Sequence, residues 1–62
     1  SLTALDDRVL FEHALGMTAV RLDIEIDQAA ALLDRHARAH DLSLIALSRH
    51  ITNGIFDWTD LR

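Results

Sequence analysis

The sequence predicts an all-α fold: a short three-helix bundle with an extended first helix, suited to pairing with a second copy as a dimeric coiled coil. Three observations carry this. Apolar residues recur at three- and four-residue intervals in three segments, and no alternating strand pattern runs beyond about four residues. Proline is absent and the only glycines are Gly16 and Gly54, so long stretches lack helix breakers. Half of the 62 residues are hydrophobic, which is high for a chain with so much unavoidable surface. The excess is expected to be covered by another subunit or domain. The length supports one domain.

The first helix is predicted over residues 3–22. Thr3 reads as its N-cap, and Asp6 and Asp7 place negative charge in the first turn, where the helix dipole favours it. Its apolar residues, among them Leu5, Val9, Leu10, Phe11, Leu15 and Val20, cover more than one stripe, so the helix is expected to have more than one partner. Leu5, Val9 and Gly16 are the candidate dimer and packing positions. Alanine at position 16 would favour the helix by up to ~1 kcal/mol. Glycine there predicts close approach of another backbone.

The second helix is predicted over residues 26–40. It follows the extended-looking "LDIEID", with capping-box spacing from Glu25 to Gln28 and Asp27 as an alternative cap. Ala29, Ala30, Leu32, Leu33, His36 and Ala37 form one face at helical spacing. "HDLS" ends this helix near His40. The third is predicted over residues 43–54, with Asn53-Gly54 as a strong C-terminal stop. The tail "IFDWTDLR" has no clear period; one extra helical turn and an irregular docking segment fit it equally.

The absence of cysteine rules out disulfides and thiolate metal sites and fits a reducing cytoplasm. The apolar runs are too short to span a membrane. No nucleophile elbow, phosphate-binding glycine loop or dinucleotide fingerprint occurs, so neither an enzyme nor a cofactor is expected. His36 and His40 have the four-residue spacing that brings two imidazoles to one metal, with Asp41 or His50 as a third ligand. The preferred reading is structural, with His36 against the core and His40 at the helix end.

The net charge of −4 argues against a generic nucleic-acid binder. The distribution is uneven, however. Residues 35–50 hold Arg35, Arg38 and Arg49 against the single acid Asp41, a balance of +2, and the rest of the chain carries three arginines and nine acids, a balance of −6. Arg35 and Arg38 are three residues apart on one helix and are expected to share a face. Arginine forks suit phosphates and stacked bases.

The line "RVLFEHALGMTAVRLDIEIDQAAALLDRHARAHDLSLIALSRHITNG" resembles the ANTAR domain, the RNA-binding module named for the AmiR and NasR transcription antitermination regulators. The resemblance runs without gaps from Leu2 to Gly54. Arg8, Val9, Glu12, Ala14, Gly16, Met17, Ala29, Leu32, Leu33, Arg35, Ala37, Arg38, Leu44, Arg49 and Gly54 fall in its register. It implies a three-helix bundle with a paired first helix, at the C-terminus of a bacterial sensor carrying a receiver, GAF or PAS domain. It also implies binding to tandem RNA stem-loops that blocks a terminator hairpin. Arg35, Arg38 and Arg49 would hold phosphates or stack on loop bases, helped by Arg21 and by hydrogen bonds from His36, His40 and His50. Gly16 would mark where the first helix leaves its paired stretch.

The chain departs from the family pattern at Leu15, where lysine is common, and at Asp34, where arginine is typical. It also departs at Ala30, Asp41, Leu42-Ser43 and Ser48. Several of these are lost cations, and each lost phosphate contact weakens RNA binding. The expected function is an RNA-binding antitermination module. The alternative is a dimerisation or protein-docking module of the same fold that has lost RNA binding. A small DNA-binding domain fits less well, because the third helix offers only Arg49 and His50.

Overall fold

A computed structural model describes the backbone of residues 2–61 and the side chains of residues 6–61. Three helices form, α1 (Leu2–Leu22), α2 (Ile26–Ala39) and α3 (Leu44–Thr52), followed by a C-terminal 3-10 turn (Trp58–Leu61). There is no strand among the described residues. At 1.5 Å per residue α1 is about 30 Å long, close to the molecule's longest dimension of 34 Å. It packs chiefly on α3, and the 3-10 turn folds back onto α2.

All three helices end in the same way. A left-handed residue follows each: Asp23 (φ 56°) directly after α1, and Asp41 (φ 55°) and Gly54 (φ 76°) one position past the cap residues His40 and Asn53. At each end two backbone bonds close a Schellman motif. Asp23 and Ile24 donate to Val20 and Ala19; Asp41 and Leu42 donate to Arg38 and Ala37; Gly54 and Ile55 donate to Ile51 and His50. Glycine adopts this conformation freely and serves at Gly54, the predicted stop. The two aspartates do the same work against a steric penalty.

The starts also use local chemistry. The Oε1 of Gln28 accepts from the Glu25 amide at 3.0 Å, closing one arm of the predicted capping box. The Glu25 carboxylate faces the Gln28 amide in looser geometry. Ser43 Oγ accepts from the Ala46 amide at 3.0 Å and caps α3.

The core is built from small and medium side chains. Ala14, Leu33, Ala37, Leu47, Ile51 and Leu61 form one buried cluster, with Phe11, Leu15, Met17, Leu42, Phe56 and Trp58 packed against it. Thr18 and Ser48 are also fully buried. Their hydroxyls donate to the carbonyls of Ala14 (2.8 Å) and Leu44 (2.7 Å), so neither polar group is left without a partner.

Several details differ from the sequence expectation. Helix α1 is already formed at Leu2, so Thr3 lies inside its first turn and is not the cap. Asp6 and Asp7 consequently fall beyond that turn. Helix α2 stops at Ala39 and α3 at Thr52, each before the left-handed turn. The tail resolves into the 3-10 turn, set by Asp57, whose Oδ1 accepts from the Thr59 amide (3.0 Å) and hydroxyl (2.7 Å).

Candidate functional site

A groove runs along the C-terminal turn in four adjoining depressions. The first lies between Gly16, Met17, Val20 and Arg21 of α1 and Trp58. Arg21 and Trp58 carry over into the second, which Leu22 and Thr59 complete. Leu22 continues into the third with Ile24, Leu32, Arg35 and Leu61. Leu32, Arg35 and Leu61 then lead into the fourth, where His36, His40 and Asp60 join them. The first is the largest, at about 450 Å³, and is mostly apolar.

The charge along this groove is opposite to that of the molecule. Arg21 and Arg35 line it with two histidines, and Asp60 is its one acid among the described residues. Both arginines are exposed. Three predicted site residues, Arg21 from the end of α1, Arg35 from within α2 and His40 from its C-cap, thus line adjoining depressions.

Rings tie this surface together. The Arg21 guanidinium lies 5.8 Å from the Trp58 ring centre. Trp58 meets Phe56 edge to face at 5.3 Å, and Phe56 meets His36 edge to face at 5.2 Å. His36 stacks on His40 at 4.1 Å. Half-buried His36 is held below its ordinary pKa by desolvation first and by the neighbouring His40 second, with Asp60 pulling the other way. The Asp57 carboxyl is also held below the usual range, by its bonds from Thr59.

Other predicted residues lie elsewhere. Arg38 lines none of these depressions and pairs with Asp34 at 3.1 Å in an exposed i,i+4 bridge. Arg35, by contrast, lines two of them. Arg49 is exposed on α3 and also lies off the groove. His36 and His40 stack ring on ring, and no group of three histidine, aspartate or glutamate side chains among the described residues is placed to hold a metal.

Gly16 faces open space within the protomer. A Cβ built there would meet nothing within 4 Å, so no backbone of the same protomer approaches it. It forms an open wall of the first depression. Val9 and Val20, seven residues before and four after it, are 56% and 83% exposed. Leu5 belongs to α1, but its side chain lies outside the described residues.

No family model matches this chain, and no curated protein or solved structure shows significant similarity to it. The groove was not readable from the sequence, because Trp58 and Leu61 reach it only by the fold-back of the tail. One signal was present: "DWT" has the Asp-x-Thr spacing of an Asx turn, which predicts an ordered turn at Trp58.

Proposed function

We propose that this chain is an ANTAR-type RNA-binding module. It acts in transcription antitermination as a homodimer paired through α1, within a cytoplasmic regulator whose upstream sensory domain receives the signal. The observation that carries the reading is the cationic groove. In a molecule of net charge −4, Arg21, Arg35 and His40 converge on one surface beside an aromatic residue. Phosphates and unpaired bases are the ligands such a surface suits.

The departures from the family pattern have local structural roles, which weakens their weight against RNA binding. Leu15 packs on the core, and Leu42 does the same after the α2 turn. Ser43 caps α3, and buried Ser48 bonds within it. Asp41 occupies a left-handed position, where asparagine, the family residue, is also at ease.

A second reading is a docking module of the same fold without RNA affinity. The Asp34 bridge that occupies Arg38 favours it, as do the exposed side chains of Val9, Val20, Ile26 and Ile55. Titrating fluorescently labelled RNA hairpins with the protein at several salt concentrations separates the two. The RNA reading predicts binding that weakens steeply as salt rises. A dimer that leaves every hairpin free at low salt supports the second.

A further inference from the structure

We infer that the recess between Gly16 and Trp58 takes an unpaired RNA base, stacked against the Trp58 ring while Arg21 holds the adjoining phosphate. This rests on the RNA-binding reading and assigns the tail a part in it.

Three features carry the inference. The recess is mostly apolar and about 450 Å³ in volume, and is closed on one side by an indole. Base-on-aromatic stacking is the common device for holding unpaired nucleotides, and it tolerates any base. Gly16 leaves the opposite wall bare. Its own chain makes no steric demand for glycine there, since an added Cβ would touch nothing within 4 Å. The missing side chain therefore serves the space and not the packing of the protomer. The charge is also complementary. Arg21 is the one charged residue lining the recess, and the groove leads from it toward Arg35 and His40, a path for a phosphate backbone.

Trp58 is held in place by its neighbours. Phe56 packs perpendicular to it at 5.3 Å, and the Asp57–Thr59 bonds fix the turn that carries it. The Arg21 guanidinium lies over the Trp58 ring, 5.8 Å from its centre, so a base takes that face as exposed Arg21 moves off it onto the adjoining phosphate.

Trp58 is the only tryptophan, and the chain has no tyrosine, so its emission reports the recess directly. The test titrates the full chain with labelled RNA hairpins whose short loops are randomised in sequence, and with the same stem as a blunt duplex. RNA anisotropy and Trp58 emission are read together. The expected result is hairpin binding with quenched Trp58 emission and no comparable quenching by the duplex. Trp58→Ala should lower hairpin affinity about 5- to 100-fold, the range for loss of one stacked base. Gly16→Leu, which fills the recess without touching the Phe56 brace, should lower it as well, with circular dichroism and sedimentation confirming an intact fold and unchanged assembly. Hairpin binding that leaves Trp58 emission unchanged overturns this inference and leaves the RNA-binding reading standing. Absence of binding to any hairpin at low salt overturns both.

Discussion

Asp41 shows how a single residue can serve the fold at a local energetic cost. It sits at φ 55°, where a side chain crowds its own backbone, and it places negative charge at the C-terminal end of α2. Both effects oppose folding. Asp41→Gly should therefore stabilise the chain by ~0.5–1 kcal/mol, seen as a higher urea midpoint with an unchanged slope. His36 gives a second prediction at this scale. Its folded pKa lies below the ordinary 6.5, chiefly through desolvation, then through His40, against an opposing pull from Asp60. The folded state thus binds fewer protons than the unfolded one. Stability is full above about pH 6.5 and declines as pH falls through the lower folded value. His36→Gln should flatten that decline in thermal melts recorded between neutral and mildly acidic pH.

At the scale of elements, what was legible in the sequence follows how local the physics is. The Gln28 arm of the capping box and the Gly54 stop depend on residues within one turn, and their patterns predicted them; the Ser43 cap is as local, but the third helix was expected to begin at that residue. Helix α2 was legible because Ala29, Leu33 and Ala37 share one buried face. The ends at Asp23 and Asp41 were harder, because aspartate enters the left-handed region less readily than glycine and reads first as surface charge. Thr3 misled for a related reason: a residue with capping chemistry is a cap only where the helix starts, and α1 starts before it. The tail lacked a period because a 3-10 turn of four residues is too short to show one. Its order depends on Asp57, so Asp57→Ala should loosen Trp58 and shift its emission to longer wavelength, with helix content retained by circular dichroism.

For the whole molecule, the main point is the separation of an acidic body from a cationic groove. Sequence spacing grouped Arg35 with Arg38, since both lie on α2. Folding groups Arg35 with Arg21 and His40, because Leu22 at the end of α1, Leu32 in the middle of α2 and Leu61 of the returning tail line the depressions between them. No linear pattern carries that juxtaposition. The second whole-molecule feature is the exposed apolar side chain of Val9 on α1, which lies outside the recess at Gly16. Val9 is 56% exposed, so, on the proposed pairing through α1, Val9→Asp should leave helix content unchanged while shifting sedimentation from dimer to monomer.

The groove itself is tested most directly by comparing two arginine substitutions on α2 for the salt dependence of hairpin binding. Arg35→Gln removes a cation from the groove, whereas Arg38→Gln removes one already paired with Asp34. The expected result is weaker binding for Arg35→Gln, with the slope of log affinity against log salt reduced by about one, and near-unchanged binding for Arg38→Gln. Equal losses from both, or a loss confined to Arg38→Gln, would contradict the placement of RNA in this groove.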